Sequence, residues 1–518
     1  MKLSLSAELV EATRDIVAEA VSRSFASRVH HQGHTLWGQE AESEASIRLA
    51  WALDPTPGYE VIAEAVTLRE ELATQGVTDF VVCGMGGSSL APEVMALSAE
   101  TQLTVLDSTH PDVVSALLSK DLSNTAVIVS SKSGGTVETD SQRRAFEQAF
   151  SSQGIDPVGR IIVVTDPGSP LDEASQSAGY RVFHGNPHIG GRFSALSAFG
   201  LVPGTLTGAD TKTMLSDAVR VWSECVQDTP ENPGLVLGAA LGALWQERNK
   251  VLLGELPKQR GLGAWIEQLV AESTGKNKKS LLPVVGSTLD SLEDAVTVGP
   301  WGSTADIQIE ATLGEHFMVW QFATAFACSL LGVNPFDQPN VESAKVAARS
   351  LLEDSTGSSL SASPVPGGAL WQSNTSVESP ATFDELTTRL VAELGPTQYL
   401  ALLVFGGQDT ATRWSEVAHN LEARTGRPVT LGVGPRYLHS TGQLHKGGTP
   451  DGVFLLVVEK PRRSVEIPGR DFDFTTLLEA QAEGDATVLA ETGQPVWLAW
   501  VETPEDSEKL RTSLSGKS

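Results

Sequence analysis

The stretch SSKSGGTVET, from Ser130 to Thr139, follows the apolar run TAVIV and precedes a pattern of residues that is typical of a helix. At such a strand-to-helix turn, glycines let the backbone approach a ligand closely, while hydroxyl and backbone N–H groups point towards it. The amino end of the helix adds partial positive charge. A second loop of this kind, GMGGSS from Gly84 to Ser89, occurs earlier in the same series of strands and helices. Together the two loops predict a site for a phosphorylated ligand.

Short apolar runs alternate with amphipathic stretches from Thr78 to about residue 184. The runs DFVVCG, LTVLD, TAVIVS, RIIVVTD and YRVF predict strands. The stretches between them, among them SLAPEVMALSA and TVETDSQRRAFEQAF, predict helices. This alternation indicates an α/β fold whose parallel sheet is covered by helices on both faces. Because ligands of such sheets bind beyond the carboxyl ends of the strands, both Gly/Ser loops fall where a ligand is expected.

The rest of the chain predicts helices around a second α/β unit. Residues 5–75 and about 208–273 are predicted to be mostly helical, and the later apolar runs are SLLPVVG, YLALLVFG, VTLGVG, GVFLLVVE and VWLAWVE. A stretch rich in Ser, Pro and Gly near residues 354–380 is predicted to be a surface loop or a partly disordered insertion. The predicted domains are a helical lead-in, a first α/β domain, a second α/β domain and a C-terminal segment packing on the second, over residues 1–55, 56–205, 206–460 and 461–518.

Composition narrows the possible partners and the compartment. The 518 residues contain 37 Lys and Arg against 64 Asp and Glu, a net charge of −27, which disfavours binding to nucleic acid or to anionic membranes. The sequence has no apolar run of roughly 18 residues, so we expect no membrane span. Cys83, Cys225 and Cys328 are widely spaced, which favours a reducing compartment, here the cytoplasm. No Cys/His cluster has zinc-ligand spacing, so no metal site is expected.

Two charged residues stand in positions where chemistry is possible. Arg192 follows two glycines in GGRFS, where it can reach an anionic ligand or a developing oxyanion. Glu272 ends the predicted helix GLGAWIEQLV, before a Ser-Thr-Gly turn, where a carboxylate can act as a general base. Each residue also has an ordinary reading. Arg192 suits a turn on the surface of the exposed-looking piece GNPHIGGRFSALSAFG, and Glu272 suits a solvated helix end.

Further cations and histidines also have two readings. Three lysines after Glu272, namely Lys276, Lys278 and Lys279, form either a phosphate-attracting cluster or a solvated loop. His316 begins an apolar helix and is either catalytic or structural. The loop HSTGQLHKGG contains His439, His445 and Lys446 between two predicted strands. A lysine in such a glycine-containing loop can donate a hydrogen bond to a ligand oxygen.

These motifs together resemble the phosphoglucose isomerase family. The segments GMGGSSLAPEV, SSKSGGTVET, GGRFSALSAFGL, ESTGK, NPFDQPNVE and the Lys446 loop occur in the family's order between about Gly84 and Gly448. The loop HSTGQLHKGG looks most like the isomerase half of bifunctional transaldolase–phosphoglucose isomerases. The chain opens on the isomerase's helical lead-in, so we expect no preceding transaldolase barrel. The resemblance implies two sugar-isomerase (SIS) domains, each an αβα sandwich with a parallel sheet.

The resemblance also assigns roles to individual residues. It makes Glu272 the catalytic base and Arg192 the group that stabilises the enediolate. It places His316 and Lys446 in ring opening, although His316 follows Glu where the family has Gln, and the sequence around Lys446 departs from the family. The residues that the resemblance assigns to the phosphate and its neighbouring glycine loop are Ser131, Lys132, Ser133, Thr136, Glu138, Gly86, Gly87 and Ser88.

The activity implied by the resemblance is the reversible aldose–ketose isomerisation of glucose 6-phosphate and fructose 6-phosphate through a cis-enediolate, in glycolysis and gluconeogenesis. It needs neither a cofactor nor a metal. The family is usually dimeric, with the helix histidine crossing to the neighbour's site, so a homodimer is expected. Two alternatives stay open: a non-catalytic sugar-phosphate sensor, and a related isomerase that also uses mannose 6-phosphate. The joint presence of Glu272 and Arg192 favours an enzyme over the sensor.

Overall fold

The computed structural model of this chain describes residues 1–353 and 360–517, without the side chains of residues 344, 345 and 353. Its strands are β1 Lys2–Leu5, β2 Asp79–Gly84, β3 Thr104–Leu106, β4 Thr125–Ser130, β5 Ile161–Thr165, β6 Arg181–His184, β7 Lys250–Leu253, β8 Leu282–Val285, β9 Ala295–Pro300, β10 Ile307–Glu310, β11 Ser363–Val365, β12 Gly368–Gln372, β13 Tyr399–Phe405, β14 Val429–Val433, β15 Gly452–Glu459 and β16 Val496–Val501.

The helices lie between these strands and after the last one. They are α1 Ala7–Ser22, α2 Phe25–His30, α3 Glu42–Arg48, α4 Gly58–Thr74, α5 Leu90–Ser98, α6 Pro111–Leu118, α7 Val137–Ser152, α8 Pro170–Ala178, α9 Ala198–Thr207, α10 Thr211–Cys225, α11 Pro233–Gly242, α12 Leu262–Thr274, α13 Leu313–Leu331, α14 Pro339–Glu353, α15 Phe383–Glu393, α16 Thr410–Thr425, α17 Gly442–Gly447, α18 Phe474–Glu491 and α19 Pro504–Leu514. The predicted α/β class is confirmed.

Contacts divide the chain into two compact units. Unit 1 contains residues 1–107, 120–285 and 295–337, and unit 2 contains residues 108–119, 286–294 and 338–518. The domain boundaries predicted after residues 55, 205 and 460 stay predictions.

The first parallel sheet of unit 1 has the strand order β3-β2-β4-β5-β6. The central strand β4 and its neighbour β5 are buried along their whole length, as expected for a parallel sheet that helices cover on both faces. One face packs against α4 and α9 through a cluster that includes Leu68, Val82, Ile128 and Phe199. The strands and helices predicted from Thr78 to residue 184 are therefore confirmed.

A second sheet in unit 1 has the order β1-β10-β9-β7-β8, with β1 antiparallel and the other pairings parallel. The sequence prediction missed β7, which lies inside the supposedly helical region 208–273. A buried run of only four residues, KVLL, has no periodicity that separates a strand from a helix. The run SLLPVVG, which the sequence grouped with the later strands, forms β8 in this sheet instead.

Helix α13 runs through the core of unit 1. It begins with a capping box formed by Thr312 and Glu315, and almost all its side chains are buried. It packs against α10, α11 and α12. A helix that is apolar all round belongs either in a core or in a membrane, and here the neighbouring helices surround it. No helix in the described part of the chain meets the length and hydropathy needed to cross a membrane.

Unit 2 is built on a sheet with the order β11-β12-β16-β15-β13-β14. Strands β11 and β12 form an antiparallel hairpin, and β12 also runs antiparallel to β16. The prediction of a loop near residues 354–380 is therefore wrong for residues 363–372, while residues 354–359 lie outside the described chain. Composition alone misled the prediction, because the buried side chains Val365 and Leu370 anchor this hairpin to the core of unit 2.

Candidate functional site

The two Gly/Ser loops lie side by side at the carboxyl edge of the first sheet. Strands β2 and β4 are parallel neighbours, so Gly84, which ends β2, pairs with Ser130, which ends β4. The first loop makes a short 3-10 helix at Gly86–Ser88 before α5, and the second leads into α7. The predicted strand-to-helix position of both loops is confirmed.

The loop from Ser131 to Thr136 presents hydroxyl groups at the amino end of α7. The Ser131 hydroxyl donates to the Thr136 hydroxyl at 3.1 Å, and Ser133 Oγ accepts a hydrogen bond from the Gly135 N–H at 3.3 Å. Ser133 is exposed. Within the described structure, Thr136 precedes α7 without capping it through its side chain. The N–H groups of the first turn of α7 are therefore oriented to bind an anion.

Lys132 does not extend freely into this loop. Its ammonium contacts Asp166 Oδ2 at 2.5 Å and donates to the Asn186 carbonyl at 3.0 Å. Burial lowers the pKa of Lys132, and the Asp166 carboxylate opposes this shift. The ammonium of Lys132 is therefore already paired with Asp166. The contact of Lys132 with a phosphate stays a prediction.

The glycine loop also touches the turn that carries Arg192. A Cβ atom on Gly87 would lie 2.1 Å from the Gly191 carbonyl oxygen, far inside van der Waals contact. Only glycine allows this approach of the two backbones. Ser88 next to it is buried. The predicted residues Gly86, Gly87 and Ser88 therefore bring the turn with Arg192 beside the first sheet.

Arg192 and Glu272 form a buried ion pair. Arg192 Nη1 lies 2.9 Å from Glu272 Oε1, and the two side chains are only 4% and 12% exposed. The readings of Arg192 as a surface residue and of Glu272 as a solvated helix end are wrong. Gln268, one turn earlier on α12, donates from Nε2 to Glu272 Oε2 at 3.2 Å. The structure thus brings together two residues that are far apart in the sequence.

The other donors of Arg192 are also held. Its Nε donates to Ser273 Oγ at 3.0 Å, and its Nη2 donates to the carbonyls of Pro335 at 2.6 Å and Asp337 at 2.9 Å. A guanidinium has a rigid, planar set of donors, so these acceptors fix its orientation as well as its position. Ser273 and the 335–337 carbonyls were not identified from the sequence, where only the tight turn NPFDQ gave a signal.

Lys276 lies beside this pair, in contrast to the solvated loop that was one reading of the three lysines. Its side chain is buried, donates to the Asn334 carbonyl and lies 3.0 Å from Asp337 Oδ1. Burial, and then the charge of Arg192, lower the pKa of Lys276 to about 8. Lys278 is exposed, as a solvated loop predicts, and Lys279 donates to the Leu331 carbonyl at 2.6 Å.

His316 lies apart from the Arg192–Glu272 pair. The ring of Phe317, the next residue on α13, packs on Trp265 in the first turn of α12, with centroids 4.8 Å apart. Glu272 is in the last turn of α12, about 10 Å further along the helix axis. Burial lowers the pKa of His316 to about 4, and its Nδ1 has no hydrogen-bond partner in the described structure. The Phe317–Trp265 contact therefore lies at the opposite end of α12 from Glu272, and the catalytic role of His316 stays a prediction.

Lys446 belongs to unit 2 and lies in the short helix α17 rather than in a loop. Its ammonium forms an ion pair with Asp485, and both side chains are almost fully buried. Tyr437 donates its hydroxyl to Asp485 Oδ2 at 2.7 Å. The preceding His445 shares a hydrogen bond of 2.8 Å with the Tyr399 hydroxyl. The sequence prediction of a ligand-facing lysine stays untested, while this closed set of partners is typical of a structural lysine.

The described residues show no cluster of side chains that could hold a metal ion. Among residues 1–353 and 360–517, no three side chains of His, Cys, Asp and Glu are grouped as metal ligands. Among the free cysteines, Cys328 has its Sγ 3.5 Å from the carbonyl oxygen of Ser273, which contacts Arg192. Burial raises the pKa of the Cys328 thiol to about 12. Cys328 is therefore a neutral packing residue at neutral pH.

Comparisons with known proteins agree with the geometry. Residues 67–293 match the family model "Phosphoglucose isomerase". A glucose-6-phosphate isomerase from Rubrobacter xylanophilus is 29% identical over 405 residues, covering 60% of this chain and 93% of that protein. One from Cyanothece is 34% identical over 215 residues, covering 39% of this chain and 40% of that protein. The crystal structure of a glucose-6-phosphate isomerase from Chlamydia trachomatis matches with a TM-score of 0.51 at 18% identity, over 68% of this chain and 88% of that chain, which supports the expected fold.

The close approach of Gly87 to Gly191 gives a test of the loop geometry. Gly87→Ala should destabilise the protein by about 1–3 kcal/mol, because the new methyl group overpacks the contact between two backbones. Gly135→Ala is the matched control, since a Cβ at Gly135 meets no atom within 4 Å. Its effect should stay within about 0.5 kcal/mol. Thermal unfolding of both variants checks this, and equal stability of the two would show that the loops do not touch.

The buried His316 predicts acid sensitivity. Its folded pKa of about 4 lies below its usual value of 6.5, so below pH 6.5 the unfolded chain binds a proton that the folded protein does not. Its contribution to stability is therefore complete above pH 6.5 and falls as the pH drops towards 4. Urea unfolding at several pH values should show a shallower loss of stability for His316→Gln than for the wild type. His34→Gln, at an exposed histidine, is the control, and a His316→Gln profile parallel to wild type would contradict this burial.

Proposed function

We propose that this chain is a phosphoglucose isomerase that interconverts glucose 6-phosphate and fructose 6-phosphate, with Glu272 and Arg192 at the reacting carbons. The observation that carries the proposal is the buried ion pair of these two residues, 2.9 Å long, which the Gly87 contact places beside the first sheet. The comparisons support the reaction, while the role of each residue is inferred from geometry and chemistry.

The phosphate anchors the substrate at the amino end of α7. Ser131, Ser133 and Thr136 supply hydroxyl groups, and the N–H groups of the first helical turn supply further donors. These local donors are needed because a protein of net charge −27 repels an anionic substrate at long range. Binding energy from this unreactive end of the sugar holds the reacting carbons in place.

Glu272 acts as the base that transfers the proton. In the open-chain aldose it takes the proton from C2, and the electron pair of the C–H bond forms the double bond of a cis-enediolate. As the C1 carbonyl oxygen takes up the negative charge, the proton of the C2 hydroxyl moves to that oxygen. Glu272 then returns its own proton to C1, and the C2 oxygen becomes the ketone carbonyl. A single carboxylate is sufficient because C1 and C2 are adjacent, so one group on one face of the planar intermediate can reach both.

Arg192 stabilises the charge of this intermediate. When Glu272 takes the proton it becomes neutral, and the negative charge moves to an enediolate oxygen. Arg192 already lies beside the carboxylate, and Ser273, Pro335 and Asp337 hold its other donors. The guanidinium therefore needs little reorganisation when the charge moves, which is the condition for strong electrostatic stabilisation.

The group that opens the sugar ring stays a prediction. His316 has its pKa lowered to about 4, so it is neutral at physiological pH and can accept but not supply an extra proton. Lys446 is paired with Asp485, and that pair favours a structural role. The homodimer is likewise a proposal, and a side chain as buried as His316 is poorly placed to reach a second subunit. The closer likeness to the isomerase half of bifunctional proteins also stays a prediction.

The Arg192–Glu272 pair also bears on the choice between an isomerase and a sugar-phosphate sensor. A sugar-phosphate sensor needs the α7 anion site but has no use for a buried carboxylate paired with an arginine beside it, so the Arg192–Glu272 pair supports an enzyme. Use of mannose 6-phosphate depends on contacts around C2 and stays open. We place the reaction in the cytoplasm, an assignment supported by the free thiols of Cys83, Cys225 and Cys328.

The role of Glu272 is tested by Glu272→Gln. The amide keeps the size of the side chain but cannot accept a proton, so turnover should fall on the order of 10²–10⁴-fold while sugar-phosphate binding stays near normal. The variant should also lose exchange of solvent deuterium into C2 of glucose 6-phosphate. Glu267→Gln, on the same helix, is the control and should keep full activity. Wild-type deuterium exchange in Glu272→Gln would show that another group is the base.

The phosphate loop is tested by the double variant Ser133→Ala/Thr136→Ala. Loss of two hydrogen bonds to a charged group should weaken binding of fructose 6-phosphate by about 3–6 kcal/mol at most. Ser151→Ala, at the far end of α7, is the control. Isothermal titration calorimetry measures all three proteins, and wild-type affinity in the double variant would place the anion site elsewhere.

A further inference from the structure

The segment from Asn334 to Asp337 supplies carbonyl oxygens to two cations. The Asn334 carbonyl accepts a hydrogen bond from Lys276, and the carbonyls of Pro335 and Asp337 accept hydrogen bonds from Arg192. The Asp337 carboxylate lies 3.0 Å from the Lys276 ammonium. Lys276 and the Arg192–Glu272 pair are thus linked through one short segment of backbone.

Local hydrogen bonds and aromatic packing hold segment 334–337 in place. The Phe336 N–H donates to Asn334 Oδ1 at 2.9 Å, and Pro335 restricts the backbone between them. The Phe336 side chain is 5% exposed, and its ring packs at 5.0 Å from the ring of Trp37 and at 5.6 Å from that of Phe193. Phe193 directly follows Arg192 in the chain. The segment is therefore packed against the turn that carries the arginine.

Charge explains why a lysine and an aspartate occur together here. The groups that face Lys276 are Arg192, Asp337, Cys328 and, through Arg192, Glu272. Two buried cations repel each other, and the two carboxylates balance them. Removing Asp337, whose side chain is 37% exposed, leaves the Lys276 ammonium, which is 3% exposed, without its carboxylate partner. The pairing of Lys276 with Asp337 leaves Glu272 as the carboxylate that faces Arg192.

We propose that Lys276 and Asp337 are positioning residues for the isomerase reaction, which hold segment 334–337 and thereby fix the guanidinium of Arg192 against Glu272. This inference rests on the proposed function and adds to it two residues that need not touch the substrate. Without Lys276, the segment loses a hydrogen bond at Asn334 and an ion pair at Asp337. Its carbonyl oxygens then shift away from the Arg192 guanidinium. A misplacement of about 1 Å at a reacting group costs on the order of 10²-fold in rate.

The first test compares Lys276→Met, Lys276→Arg and the control Lys278→Met. Lys276→Met keeps the length of the side chain and removes the charge, so kcat should fall about 10²-fold with little change in KM. Lys276→Arg should recover most of this loss, because it restores a cation. Lys278 lies in the same turn but is exposed, so Lys278→Met should match the wild type. Asp337→Asn removes the negative charge that pairs with the Lys276 ammonium, so its loss of kcat should resemble that of Lys276→Met.

The pH profile distinguishes positioning from simple structural support. Burial and Arg192 bring the pKa of Lys276 to about 8, so kcat of the wild type should decline as the pH rises through 8 and the ammonium loses its proton. Lys276→Arg keeps its charge and should extend the plateau to higher pH. Thermal unfolding of every variant is measured alongside. If Lys276→Met does not fold, Lys276→Arg and Asp337→Asn are compared with the wild type instead.

The decisive measurement is a double-mutant cycle with Arg192→Lys. If Lys276 acts through Arg192, Lys276→Met should cost little further activity once Arg192 is replaced. Equal losses in both backgrounds, or full activity of Lys276→Met with the wild-type pH profile, would overturn the inference. A wild-type protein that does not isomerise hexose phosphates would instead refute the proposed function, so the two failures are distinguishable.

Discussion

The site depends on one buried ion pair, between Arg192 and Glu272. Taking two charges out of water is unfavourable unless each is also hydrogen-bonded, and here Gln268 contacts the carboxylate while Ser273 and two backbone carbonyls contact the guanidinium. Such an arrangement adds little to stability compared with an apolar pair of the same size. In the proposed reaction, its value is a fixed positive charge beside a base.

The fold around the pair is the means of keeping it in place. Gly87 lets the first glycine loop contact the turn that carries Arg192. Helix α12 carries Glu272 in its last turn, and carbonyl oxygens of segment 334–337 accept hydrogen bonds from the guanidinium. The phosphate loop lies at the end of the neighbouring strand β4. The proposed phosphate binding and the proposed proton transfer are therefore assigned to separate elements of unit 1, so the effect of a substitution on each can be measured separately.

Much of this could be predicted from the sequence, where local patterns were strong. The alternation between residues 78 and 184 gave each strand and helix of the first sheet, and the Gly/Ser loops were correctly placed at the strand ends. Burial was not predictable at Arg192 and Lys276, because it arises from segment 334–337, which lies far away in the sequence. Strand β7 and the hairpin β11–β12 were missed, since pairing with distant strands defines them. For Lys446, the sequence showed the glycines but not the Asp485 carboxylate that pairs with it.

The central claim is that Arg192 recognises the charged intermediate better than the substrate. Isothermal titration calorimetry of a phosphorylated sugar hydroxamate, whose planar anionic head resembles the enediolate, tests it against fructose 6-phosphate. The wild type should bind the hydroxamate at least 10²-fold more tightly than fructose 6-phosphate. Arg192→Lys should lose most of that preference while keeping its affinity for fructose 6-phosphate. Equal weakening of both ligands in Arg192→Lys would contradict the account, because it would make Arg192 a general binding residue.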